Sequence, residues 1–143
     1  MKLLLTLFAV ATLSGCAAPQ PGSSPQDKLR QLSFAEISRH AAANAKFLQT
    51  GSEKALTDTS LEAARTQMKD PGSTQFRNVR VVTHSDGKLV CGEINAKNSY
   101  GGYVGFSLFA ASPMSATTLR KGGRYAEVDE LSNVGLRAGC SGN

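Results

Sequence analysis

The residues best suited to chemistry lie between positions 91 and 103. On a strand, Glu93, Asn95 and Lys97 share one face at a spacing of two and form a polar ladder. A carboxylate beside an amine becomes an acid/base pair when a pocket perturbs it. Left on a solvated sheet, the same ladder fixes strand register and little else, and that role is the one expected here. The ladder runs into Asn98-Ser99-Tyr100-Gly101-Gly102-Tyr103. Two tyrosines around two glycines give a loop with large contact area, which suits recognition of a partner. The glycines serve turn geometry equally well, with the tyrosines packed onto neighbouring strands. Both readings stay open on sequence alone. The candidate partner-binding set is therefore Glu93, Asn95, Lys97, Asn98, Tyr100, Gly101, Gly102 and Tyr103.

Other chemistries find little support. His40 and His84 are the chain's 2 histidines, one on an expected helix and one in a turn. Neither has a serine, cysteine or acidic partner at a spacing known for catalysis or metal ligation. Gly101-Gly102-x-x-Gly105 lacks the strand–turn–helix setting of a nucleotide fingerprint. Arg77 and Arg80 are expected on opposite faces of their strand, as surface charges. No catalytic residue, metal or cofactor is expected. Lys and Arg number 16 against 11 Asp and Glu, a net charge of +5 spread along the chain with no run longer than Arg120-Lys121. Without a basic groove interleaved with aromatics, nucleic acid is not an expected partner.

The 3 cysteines divide by position. Lys2 precedes an apolar run, Leu3–Leu13, about half the ~20 residues a membrane-spanning helix needs. The layout is that of a cleaved export leader over residues 1–15. Its end, Leu13-Ser14-Gly15-Cys16, resembles the bacterial lipobox. The resemblance implies lipidation of the Cys16 thiol, cleavage after Gly15 and acylation of the new amino group. Several acyl chains on one residue anchor far more firmly than the marginal binding of a single chain. Ala17, where an Asp would retain such a protein at the inner membrane, implies the outer membrane with the domain facing the periplasm. Residues 16–28 are rich in Pro, Gly, Ser and Gln, and read as a flexible tether.

Export implies an oxidising compartment, where Cys91 and Cys140 most simply form a disulfide. A reactive thiol pair and a metal site are the alternatives.

Residues 29–143 make one domain of ordinary size. With no Trp and 6% aromatics, its core must rest on Val, Leu, Ile, Ala and Phe. Ser33-x-x-Glu36 has capping-box spacing ahead of Phe34, Ile37, Ala41, Ala45 and Leu48, predicting a helix over 34–50. Thr59-x-x-Glu62 predicts a second helix over 60–69, ended by Pro71. From Phe76 the period becomes two. Arg77, Val79 and Val81 fall in register on a first strand. Asp86-Gly87 turns the chain into a second, with Val90, Ile94 and Ala96 on one face. Tyr103–Ala111 makes a third strand with Val104, Phe106 and Leu108 inward, Arg124–Val128 a fourth edge strand, and Asp129–Leu136 a short helix. The expected fold is α+β: an antiparallel meander of three to four strands, packed by one or two N-terminal helices and pinned by one disulfide. The second helix covers the Val90 face, and the tail is tied to a partly polar face at Cys91.

Two stretches, Lys69-Asp-Pro-Gly-Ser-Thr-Gln-Phe-Arg77 and Cys91-Gly-Glu-Ile-Asn-Ala-Lys-Asn-Ser-Tyr-Gly-Gly-Tyr-Val-Gly-Phe106, resemble the motifs of a family of small exported proteins of proteobacteria and their phages. The resemblance covers about residues 60–110 plus a later cysteine. It implies a helix followed by a disulfide-pinned sheet, and carries no catalytic residue over. Together these readings predict a lipid-anchored periplasmic module that binds another envelope protein without catalysis. An inhibitor or immunity lipoprotein against a wall hydrolase or a phage is the alternative. Its net positive charge argues against steering toward basic lysozymes.

Overall fold

The computed structural model describes residues 24–142. The leader, Cys16 and most of the expected tether lie outside the described residues. The first helix, α1 (Pro25–Phe47), starts well before position 34 and takes in the end of that tether. Ser24 and Asp27 form the capping box, each side chain bonding the other's backbone N–H, and Pro25 sits where a missing N–H costs nothing. Ser33, expected as the cap, lies mid-helix and buried. The second helix, α2 (Glu53–Thr66), also starts early, because Ser52 caps it by accepting from the Ala55 N–H. Thr59 is inside that helix, its hydroxyl donating to the Ala55 carbonyl at 2.8 Å.

A turn of 3-10 helix at Pro71–Ser73 leads into a four-stranded antiparallel sheet in sequence order, β1 (Gln75–His84), β2 (Gly87–Asn95), β3 (Ser107–Ser112) and β4 (Ser115–Thr118). The fold is the expected α+β meander. Its ends differ from expectation. The third strand begins at Ser107, not Tyr103. Gly105 takes a positive φ of 87° and Val104 is 67% exposed, so the chain swings away from β2 before pairing. The fourth strand is Ser115–Thr118, paired across a tight turn at Pro113-Met114. Arg124–Val128 instead runs into α3 (Ala126–Cys140), a longer helix than the one expected over 129–136.

Register is broken once in β1, between Arg77 and Arg80. Asn78, at φ 52°, and Val79 together oppose Gly92, a bulge that resets the alternation. Arg77 and Arg80 therefore share one face, opposite Glu93 and Cys91, instead of pointing apart. Arg77 is likewise not in register with Val79 and Val81.

Helices cover both sheet faces. Phe76, Val79, Ile94, Phe109 and Ala111 meet Leu61 and Ala64 of α2 and Met68 just beyond its end, as expected for the Val90 face. Val82, Leu89, Cys91 and Ala110 meet Ile37 and Ala41 of α1 and Leu136 and Cys140 of α3. That second face is partly polar as expected, apolar at its centre and charged toward Arg77, Arg80 and Glu93. Cys91 and Cys140 are disulfide-bonded, tying the end of α3 to the middle of β2.

Candidate functional site

The loop after β2 is built on the turn before β1. Asn98 Oδ1 accepts from the backbone N–H of Tyr100 (2.9 Å) and Gly102 (3.1 Å), while Asn98 N–H donates to the Gly102 carbonyl at 2.9 Å. Gly101 supplies the positive φ of 80° that this closure needs. Tyr103 pairs with Lys97 across the loop base, and its hydroxyl donates to the Ser73 carbonyl at 3.3 Å. The Lys97 N–H donates to Ser73 Oγ at 2.9 Å. The two motifs singled out in the sequence thus meet in space, with Ser73 as the joint. Tyr103 is a clamp at 48% exposure, whereas Tyr100 stands 97% exposed at the tip. Tyr103 packs onto the turn before β1, as one of the two expectations had it, and Tyr100 does not.

The polar ladder does not act as a unit. Glu93 accepts a two-armed bond from Arg77 (2.9 and 3.1 Å) and another from Asn78 Nδ2 at 2.7 Å. The Arg77 guanidinium also stacks 3.9 Å from the Phe106 ring centroid. Lys97 makes no ion pair with Glu93; its ammonium stands 5.6 Å from the Tyr103 ring centroid. Hydrogen bonds from Arg77, then from Asn78, hold the Glu93 carboxyl below its ordinary range, with the Arg77 charge adding to them. A carboxylate held ionised in this way is a poor proton donor. Titrated by carbon NMR, Glu93 is expected below the ordinary value of 4.5 and to rise in Arg77→Leu. An unchanged titration in the variant would remove the assigned cause.

Asn95, the middle of the ladder, turns inward. It is 8% exposed, and its Oδ1 is buried with no hydrogen-bond partner. It lines a groove of about 360 Å³ between the end of α2, the end of β2, the chain before β3 and the chain after β4. The groove's floor is apolar, from Met68, Ile94, Ala96, Val104 and Leu119, and its charged residues are Lys69, Lys97 and Lys121. None of these lysines pairs with a carboxylate among the described residues.

A second cluster was missed from the sequence. Buried His40, on α1, has Nδ1 3.1 Å from Ser112 Oγ and Nε2 2.9 Å from Thr117 Oγ1. Thr117 donates to Glu36 Oε1 at 2.6 Å. Because Thr117 spends its proton on the carboxylate, it accepts from His40 Nε2–H, and Nδ1 is left as an acceptor that competes with the Ser115 carbonyl, 3.4 Å away, for the one Ser112 proton. Serine on a neutral imidazole resembles an activated nucleophile, yet Ser112 is only 2% exposed. The network clasps α1 to β3 and β4. Its partners lie 72 and 77 residues beyond the histidine, so no local spacing announces them. The available signal was the stripe Ser33, Ile37, His40, Ala41 and Asn44, which recurs at helical spacing and is the buried face of α1.

Burial lowers the His40 pKa from its ordinary 6.5; Glu36 opposes the shift and Arg39 adds to it. The unfolded chain therefore binds this proton first. The stability involved is present above pH 6.5 and is lost as pH falls through the depressed folded value. His40→Gln is expected to flatten the decline in urea midpoint between about pH 7.5 and 5. An identical slope in both proteins would contradict the assignment.

No helix among the described residues is long and apolar enough to cross a membrane. The chain matches no protein-family model, no curated protein and no solved structure.

Proposed function

We propose that this chain is an outer-membrane lipoprotein, anchored through acylated Cys16, whose periplasmic domain is a non-enzymatic binding or accessory module of the cell envelope. The observation that carries the reading is Tyr100, an aromatic ring 97% exposed on a loop whose backbone is closed by Asn98 and clamped by Tyr103. A large side chain presented by a pre-formed loop loses little entropy on docking, which is what a recognition surface needs. The buried Cys91–Cys140 bond fits an oxidising compartment. The leader and lipobox resemblance supply the anchor. The spatial meeting of the two family-like motifs at Ser73 supports reading them as one unit, in keeping with the family of small exported proteobacterial and phage proteins.

A photo-crosslinking residue at position 100, with one at exposed Asp58 on α2 as control, tests this in living cells. One defined envelope-protein adduct from position 100 and none from 58 is the expected result. The same adducts from both, or none from 100, would overturn it. An adduct with a wall hydrolase would move the reading to the inhibitor class.

A further inference from the structure

We infer that the end of the domain formed by the starts of α1 and α3 is a lipid-facing surface, seated on the bilayer that holds Cys16. The inference rests on the proposed anchor and deepens it, by assigning the face that the anchored domain turns to the membrane. Gln26, in the first turn of α1, donates to Glu127, in the first turn of α3, at 2.7 Å, so the two helices begin side by side. Exposed apolar side chains gather at that end: Leu32 is 65%, Tyr125 64% and Val128 39% exposed. Lys28, Arg30 and Arg124, in the same segments, are exposed and pair with no carboxylate among the described residues. The carboxylates there are engaged. Asp27 caps α1, Asp129 accepts from the Gly123 N–H at 2.7 Å, and Glu130 pairs with Arg137 at 3.4 Å. Apolar and aromatic side chains with basic groups among them suit the boundary between acyl chains and headgroups.

The length of the connection selects lipid as the occupant. Ser24, which caps α1, is eight residues past Cys16. Fully extended, eight residues reach about 28 Å. A domain of this length is roughly 35 Å across, so the connection is shorter than the domain is wide. An anchored domain therefore keeps the start of α1 toward the bilayer. At that range lipid is present at a high effective concentration, and a small apolar surface is enough to hold the domain against it. Nothing brings a protein partner to this end in the same way. Tyr100 belongs to a different margin of the sheet, on the loop fixed to the turn before β1, whereas the start of α3 follows β4. Recognition by Tyr100 and seating on lipid thus use separate surfaces.

The chain contains no Trp, so a single substitution makes the full lipidated protein fluoresce from one chosen place. Tyr125→Trp and, separately, Leu32→Trp put the reporter at the lipid-facing end. Met114→Trp puts it on the β3–β4 turn, 84% exposed, at the far end of β4. Met114 lines a pocket with His40, which is about 22 Å along α1 from Pro25. Each protein is reconstituted in nanodiscs of phosphatidylcholine and phosphatidylglycerol, with and without bromine on the acyl chains. Seating at the headgroup boundary should let bromine remove roughly half the emission at 125 and at 32, and less than about a tenth at 114. Equal quenching at all three positions would overturn the inference, as would none at 125 and 32 in protein that is in the discs. Either result leaves the anchor standing. A protein that fails to enter the discs would instead refute the anchor, and this inference with it.

Discussion

Replacing both Cys91 and Cys140 by alanine is expected to lower the unfolding free energy by about 4 kcal/mol or more, read as a fall in urea midpoint. The bond joins residues 49 apart in sequence, and cutting it returns that much loop freedom to the unfolded chain. The two sulfurs also fill space in the core: Cys91 is 0% and Cys140 2% exposed, packed with Ile37, Leu89 and Leu136. Alanine leaves a cavity there and adds to the loss. In thermal unfolding the change corresponds to a drop of roughly 15 °C. A loss below about 1 kcal/mol would mean that the unfolded chain is compact enough to gain nothing from release.

Gly135→Leu is expected to cost about 3 kcal/mol or more, through overpacking. A Cβ on Gly135 would lie 2.5 Å from the Ser33 backbone, within the segment of α1 that faces α3. Backbone cannot swing aside as a long side chain can, so the helices must separate. Separation breaks the bond from the Gly135 N–H to Ser33 Oγ (2.9 Å) and the one from Ser33 Oγ to the Ser132 carbonyl (2.7 Å). Gly139, one turn on, is as tightly placed, its Cβ position 2.6 Å from Ile37 Cγ2. Arg137→Leu, on the exposed face of the same helix, should stay within about 0.5 kcal/mol. Equal effects of the two substitutions in denaturant titration would refute the close helix contact.

These glycines also explain what the sequence concealed. Gly135 and Gly139 weaken helix propensity, so the C-terminal segment reads as a short element, although they are what lets α3 lie against α1. The α1 helix has a similar disguise. Its buried stripe carries Ser33, His40 and Asn44 beside Ile37 and Ala41, and each polar member bonds across to another element. Apolar periodicity alone joins Ile37 and Ala41 to Phe34, Ala45 and Leu48, and Phe34 is 45% exposed. The bulge at Asn78 was hidden because alternation predicts faces only while the register holds.

Where side chains obeyed simple rules, the reading was sound. The period-two run, the Asp86-Gly87 turn, the apolar face under Leu61–Met68 and the Cys91–Cys140 pair all follow from residue types. The motif around residues 93–103 stands out in the sequence as a polar ladder running into a loop of glycines and tyrosines. Its division into an exposed tip, a clamp, a paired carboxylate and a buried amide depends on contacts with Ser73, Arg77 and Asn78, which lie well upstream in sequence.

The proposed anchor at Cys16 decides whether this chain is an envelope lipoprotein at all, and the intact mass of the protein extracted from the outer-membrane fraction tests it most directly. The account predicts a chain that begins at Cys16, with a diacylglyceryl thioether on its sulfur and an acyl group on its amino terminus. A chain that keeps residues 1–15, or that carries a free thiol at position 16, would contradict it.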